Sequence, residues 1–170
     1  LREVSRRLRD SVRSEDFVAR LGGDEFVVML EDFKGSQSDA AAQAEAVAVK
    51  ILEGIGQPYL LDSHEYHTTT SIGVCLFSAE GNESIEELLK RADAAMYRAK
   101  TAGRNAVRFF DPALQANLES RALMETALRR ALPEQQFELY YQPKVDGEQH
   151  ILGAEALLRW HHPEQGLVAP

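Results

Sequence analysis

The sequence predicts a mixed α/β (α+β) fold, and three observations carry that expectation. Apolar residues recur at helical spacing in several long stretches. Short runs rich in Val, Ile, Thr and aromatic residues lie between them. Gly, Pro, Asp and Asn separate the two kinds of segment. With 44% hydrophobic and 27% charged among its 170 residues, the chain can bury a core and lacks the composition of a disordered one.

Residues 1–13 read as an amphipathic helix with Leu1, Val4, Leu8 and Val12 on one face. Phe17–Leu21 and Phe26–Leu30 are short apolar runs around Gly22, Gly23, Asp24 and Glu25, which is a strand–turn–strand hairpin. Gly35–Asp39 is a polar loop with cap residues. From Ala40 to Ile55 apolar residues repeat at three and four, until Gly56 and Pro58 end the helix. Tyr59–Leu61 and Tyr66–Phe77 read as paired strands, the second rich in Thr, Ile and Val. Ser84 and Glu87 form a capping box for a helix that buries Leu88, Leu89, Ala92, Met96 and Ala99 and stops at Gly103. Asn105–Phe110 is a further strand, and Asp111–Pro112 marks a boundary. A helix from about Ala113 to Leu132 follows. Strands Phe137–Val145 and Ile151–Trp160, joined by a turn at Asp146–Gly147, complete the pattern.

The formal charge of −8 argues against general nucleic-acid binding, because the chain would repel a phosphate backbone. A single nucleotide needs only a few local cations or a metal. Cys75 is the sole cysteine, so no intrachain disulfide forms, and a reducing, cytoplasmic setting is expected. No apolar run approaches the roughly 18 residues of a membrane span. The amino terminus does not resemble a signal peptide. The chain opens abruptly inside a helical pattern, as if cut from a longer protein whose other regions could hold an anchor.

Asp24 and Glu25 stand at the hairpin tip. Adjacent carboxylates are hard oxygen ligands, suited to Mg²⁺ (or Mn²⁺) carrying a phosphate. Gly22 and Gly23 have no Cβ, so a bulky ligand can approach the backbone closely. Taken alone, the same letters also suit an ordinary exposed turn.

The flanking residues decide. Arg20-Leu21-Gly22-Gly23-Asp24-Glu25-Phe26 matches the signature of the GGDEF domain letter for letter. Thr70-Ser71-Ile72-Gly73-Val74 resembles the strand that packs beside that hairpin. Ala92-Asp93-Ala94-Ala95-Met96-Tyr97-Arg98-Ala99-Lys100, with Gly103-Arg104-Asn105, is similar to the family's final helix and turn. The resemblance covers roughly residues 1–110. It implies a nucleotide-cyclase-like palm, an antiparallel-rich sheet with helices against it. It implies a diguanylate cyclase that joins two GTP molecules into cyclic di-GMP, in a site closed between two protomers of a homodimer. It makes Asp24 a metal ligand that helps deprotonate the attacking 3′-hydroxyl and Glu25 the second acidic ligand. Gly22 and Gly23 would lie along the nucleotide, with Lys100 and Arg104 at its terminal phosphates. Without it, Lys100 is a favourable cation in a last helical turn and Arg104 a solvated turn residue. Asp93 and Tyr97 read as structural.

Arg13-Ser14-Glu15-Asp16 fits an RxxD pattern, with five residues between Asp16 and Gly22. In the family this pattern at this spacing resembles the inhibitory product site. There Arg13 would bind guanine and phosphate, and Asp16 would accept from a guanine edge. A five-residue strand spans about 17 Å, so the pair lies at the opposite end of the strand from the turn. Inhibition would then be a coupling between two sites. A helix-end salt bridge is the plainer reading of the pair.

Downstream, Tyr141-Gln142-Pro143, Glu155-Ala156-Leu157-Leu158-Arg159-Trp160, His162-Pro163 and Gly166-Leu167-Val168-Ala169-Pro170 resemble the first two strands of an EAL domain. That family is a modified (β/α)₈ barrel that hydrolyses cyclic di-GMP with Mg²⁺ or Mn²⁺. By resemblance Glu155 is a metal ligand, Arg159 touches substrate phosphate and Gln142 contacts substrate. His161 and His162 are adjacent on a strand, point to opposite faces and read as structural or solvated. The expected organisation is a GGDEF part at 1–110, a linker helix at 111–133 and the start of an EAL domain at 134–170.

A full barrel takes about 250 residues, and the family's second metal-binding Asp and guanine-reading Asn and Asp would precede Leu1. The isolated chain is therefore expected to turn over neither GTP nor cyclic di-GMP, and exposed strand edges could drive self-association. The expectation for the parent is a diguanylate cyclase with product inhibition. The alternative is a phosphodiesterase-dominant parent whose GGDEF part binds GTP or cyclic di-GMP as a regulator. A purely structural domain is the least favoured.

Overall fold

The structure, a computed structural model, describes residues 1–78 and 81–168. The chain divides into two compact units, Leu1–Leu118 and Glu119–Pro170.

The first unit runs α1 (Arg2–Ser11), β1 (Phe17–Gly22), β2 (Glu25–Met29), α2 (Gln37–Gly56), β3 (Tyr59–Leu61), β4 (His64–Tyr66), β5 (Ile72–Val74), α3 (Ile85–Thr101) and β6 (Val107–Phe109), and it takes in the first two turns of α4 (Pro112–Ala131). β1 and β2 pair antiparallel, as do β3 and β4, whereas β5 and β6 pair in parallel.

Helix α2 organises the core. Its buried residues Ala41, Ala44, Ala48, Ile51 and Ile55 keep the three-and-four spacing of one helical face. At its carboxy end Ile51 and Ile55 meet Leu8 of α1, Val18, Phe26 and Val28 of the hairpin, and Ile72 of β5. At its amino end Ala41 and Ala44 meet Phe109 of β6 and Leu114 and Leu118 of α4. Phe109 is 1% exposed. Burying such a ring contributes about 1.5–3 kcal/mol relative to leaving it in water. Ser36 caps the start of α2 in a full capping box with Asp39.

Arg7 of α1 clamps the other end of α2. Its guanidinium donates to the carbonyls of Gly54, Gln57 and Pro58 and lies 3.8 Å above the Tyr59 ring. The Gly54 and Gln57 carbonyls are among those that a helix end leaves without an intrahelical donor.

Two sequence expectations need correction. The long strand Tyr66–Phe77 does not form: His64–Tyr66 pairs with β3, Ile72–Val74 pairs with β6, and residues 67–71 lie in neither strand. A Thr-rich run has strand propensity, but a strand exists only where a neighbour completes its ladder. Helix α3 buries Ala95 and Ala99 fully, while Leu88, Leu89, Ala92 and Met96 are only half-buried. Strand β5 comes close to the backbone of this helix. A Cβ on Gly73 would lie 2.0 Å from the Ala92 carbonyl oxygen and 2.4 Å from the Met96 nitrogen. Ser84 accepts from the Glu87 N–H, which is the capping half of the expected box.

In the second unit, β7 (Phe137–Val145), β8 (Ile151–His162) and β9 (Gly166–Val168) form an antiparallel sheet in that order. Trp160 is its anchor, buried with its indole N–H donating to Gln136 Oε1 at 3.0 Å. His161 pairs with Glu138 at 2.8 Å. His162 Nδ1 accepts the N–H groups of Glu164 and Gln165 and so holds the turn before β9. Ala169 and Pro170, the end of the last EAL-like run, lie outside the described residues. Among the described residues no helix is long and apolar enough to cross a membrane.

Candidate functional site

The β1–β2 hairpin builds the first site. Gly22 pairs with Glu25, so the loop proper is only Gly23 and Asp24. Gly23 has φ +49, a left-handed conformation that glycine adopts without a Cβ penalty. Arg20 fixes the turn by donating from two guanidinium nitrogens to the Gly23 carbonyl at 2.9 and 2.5 Å. Asp24 and Glu25 project from the tip, both exposed. No hydrogen bond or ion pair joins either carboxylate to another described residue. Two free carboxylates match the way Mg²⁺ is usually held, by one or two carboxylates with substrate phosphates completing the shell. Among the described residues no group of three His, Cys, Asp or Glu is gathered into a protein-only metal cage.

Beside this strand runs an open groove of about 540 Å³. It is lined by Arg2, Arg6 and Arg9 of α1 and by Arg20, over Val18 and Phe26. That volume falls within the roughly 300–1,000 Å³ of small-molecule sites. Arg6 is engaged by Glu3 and Asp10, while the guanidinium groups of Arg2 and Arg9 have no hydrogen-bond or ion-pair partner among the described residues. The spacing 2, 6, 9 placed three cations on one helix face, a signal the sequence held but that no motif singled out. Glu3, between Arg6 and Arg7, has its carboxyl pulled down to about 2, chiefly by the Arg6 hydrogen bond.

Lys100 lies in the last turn of α3 and Arg104 in the turn beyond it. Arg104 and Asn105 have φ +63 and +47, following Gly103 at +111. A non-glycine residue held there is uncommon, and such residues cluster at functional sites. No hydrogen bond or ion pair brings Lys100 or Arg104 to Asp24 or Glu25. Arg98 instead faces inward, donating to the carbonyls of Phe109 and Phe110. Asp93 and Tyr97 are both exposed.

Arg13 and Asp16 sit at the other end of the hairpin. Asp16 accepts from the Arg13 N–H at 2.8 Å and from the Glu31 N–H at 3.4 Å, tying the start of β1 to the end of β2. The two side chains form no salt bridge with each other; Arg13 is exposed. They open onto a cavity of about 200 Å³ whose other walls include Leu30, Phe33, Gln43 and Val47.

In the second unit the β7–β8 register pairs Gln142 with Glu155 and Glu138 with Arg159. Directly paired residues, and residues two or four along, share one face. Gln142, Glu155 and Arg159 therefore project together. Lys144 lies 3.5 Å from Glu155, a cation that a metal at Glu155 would have to displace. Arg159 stacks 5.8 Å above the Tyr140 ring.

Known proteins resemble the chain over the same landmarks. Residues 1–106 match the family described as diguanylate cyclase, GGDEF domain, and residues 125–170 match the EAL domain. The bifunctional diguanylate cyclase/cyclic di-GMP phosphodiesterase MucR of Pseudomonas aeruginosa is 44% identical over 169 residues, covering 99% of this chain and 24% of that protein. The chain spans about a quarter of the length of the curated relatives it matches. An EAL/GGDEF domain protein from M. capsulatus has a similar structure, with TM-score 0.54 and 39% identity over 66% of this chain and 68% of that one. The GGDEF domain of DgcB from Caulobacter crescentus, solved in complex with c-di-GMP, gives TM-score 0.50 and 27% identity over 64% of this chain and 61% of that one.

Proposed function

The chain belongs to the GGDEF diguanylate cyclase domain family and runs on into the start of an EAL domain, and from that premise we propose that it serves cyclic-di-GMP turnover, with GTP condensed at the β1–β2 turn. The observation that carries the reading is the turn itself. Two exposed, unpaired carboxylates stand on a glycine loop fixed by Arg20, beside an arginine-lined groove large enough for a nucleotide.

In this reading Asp24 and Glu25 hold Mg²⁺ (or Mn²⁺) with the triphosphate. The bound ion supplies neutralisation of the charge that develops at the α-phosphate and the leaving pyrophosphate. Asp24 accepts the proton of the attacking 3′-hydroxyl. Gly22 and Gly23 let the nucleotide lie against the backbone. Lys100 and Arg104 meet the terminal phosphates, and a second protomer brings the second GTP. Arg13 and Asp16 form the product-inhibition site, at the far end of the hairpin from the reacting groups.

The second reading is a phosphodiesterase-dominant parent in which the GGDEF part binds GTP or cyclic di-GMP as a regulator. The shared face of Gln142, Glu155 and Arg159 favours it, because barrel enzymes place metal and substrate groups together at strand ends. Nucleotide products measured on the parent protein separate the two. Loss of cyclic di-GMP synthesis in Asp24→Ala, with breakdown intact, supports the cyclase reading. Absent synthesis in the wild type, together with loss of breakdown in Glu155→Ala, supports the second.

A further inference from the structure

We infer that Gln43 reads the guanine base of cyclic di-GMP at the Arg13–Asp16 cavity; the inference rests on that cavity being the product site. Gln43 is half-buried on α2 and lines the cavity together with Arg13 and Asp16. Its amide is oriented by the backbone. Nε2 donates to the Lys34 carbonyl at 3.1 Å and to the Asp39 carbonyl at 3.1 Å. A flipped amide would set its oxygen against two carbonyl oxygens, so the orientation is determined. Both N–H donors are spent, and Oε1 is left as an acceptor to which no described residue donates.

The charge of the cavity selects what enters. Among the described residues, Asp16 and Glu31 line it beside one cation, Arg13. A bare phosphate would meet a lining with more acidic than basic residues. A group that presents N–H donors is suited instead. The Watson–Crick edge of guanine offers N1–H and N2–H₂, whereas adenine offers an acceptor nitrogen at the corresponding ring position. Asp16 already accepts from two backbone N–H groups, so Gln43 Oε1 is a less encumbered acceptor than Asp16. The cavity of about 200 Å³ is below the roughly 300–1,000 Å³ that encloses a drug-sized ligand. It takes one base of the dinucleotide, and the exposed Arg13 remains at the mouth for a phosphate.

The test is calorimetric titration of the 170-residue chain with cyclic di-GMP and cyclic di-AMP. The set is wild type, Gln43→Ala, Gln43→Lys and Arg13→Ala, with folding checked by circular dichroism. Gln43→Lys keeps a donor for the Lys34 and Asp39 carbonyls but removes the acceptor, so it separates base reading from loop anchoring. Gln43→Ala should weaken cyclic di-GMP about five- to tenfold, the size of one neutral hydrogen bond. Both Gln43 variants should lose most of the preference for cyclic di-GMP over cyclic di-AMP. An unchanged preference in both, with binding lost in Arg13→Ala, overturns the role of Gln43 and leaves the product site standing. Wild-type affinity in Arg13→Ala, or no cyclic di-GMP binding by the wild type, overturns the site reading and this inference together.

Discussion

The two ends of the β1–β2 hairpin are built in opposite ways. At the turn, two carboxylates are exposed and unpaired among the described residues, and Arg20 restrains the loop through the Gly23 carbonyl. At the open end, the carboxylate of Asp16 is engaged by the backbone N–H groups of Arg13 and Glu31 beside a cavity. Free carboxylates are available to a cation and to a proton. An engaged carboxylate shapes a wall and limits what the ligand can ask of it. On the proposed reading, one short hairpin serves two ligands because its ends lie a strand length apart and their chemistry differs.

The strongest way to break the comparison is at the turn. Asp24→Ala should lower cyclic di-GMP synthesis by the parent protein by about 100-fold or more, the usual scale for losing a group that stabilises developing charge. Cyclic di-GMP affinity at the open end should stay as in wild type. Matched losses at both ends would mean the hairpin is a single site.

Gly73→Ala sharpens the comparison by acting on neither end. The new Cβ would press on backbone atoms of α3 that cannot rotate away. We expect a loss at or above the upper end of the roughly 1–3 kcal/mol of an overpacked core, seen as a lower midpoint in thermal or urea unfolding. Ligand binding at the two ends should then fail together as the unit unfolds. A melt unchanged from wild type would contradict the close packing of β5 on α3.

The smallest effect concerns pH. Glu3 has its carboxyl lowered from 4.5 to about 2 by Arg6 and Arg7. A lowered folded-state value stabilises above the unfolded value and is lost as pH falls through the folded one. Stability of the first unit should therefore decline slightly between pH 4.5 and about 2. The decline should be smaller in Glu3→Gln and weaker in high salt, because the group is exposed and screened. An identical pH profile in Glu3→Gln would remove Glu3 from the account.

Much of this was legible in the sequence, and the gaps have physical causes. The hairpin, the α2 face and strands β7 and β8 were readable because period and turn residues are local signals. Asp24, Glu25, Arg13 and Asp16 stood out as candidates because each belongs to a spaced motif. The break at residues 67–71 was not, since its Thr-rich composition favours a strand whose pairing depends on distant residues. Gly73 was visible only as a motif letter; its close contact with Ala92 and Met96 emerges in three dimensions. Arg7 and Gln43 escaped notice for a related reason. Arg7 holds carbonyls about 50 residues away. Gln43 bonds close by along the chain, but it faces Arg13 only through the fold.

The most direct test of two separate sites on one hairpin is cyclic di-GMP titrated calorimetrically into three forms of the chain: wild type, Arg13→Ala, and Asp24→Ala combined with Glu25→Ala. The account predicts that Arg13→Ala weakens binding about tenfold or more, as expected for a lost charge-assisted contact, and that the double variant binds as wild type does. Binding lost in the double variant and retained in Arg13→Ala would contradict it.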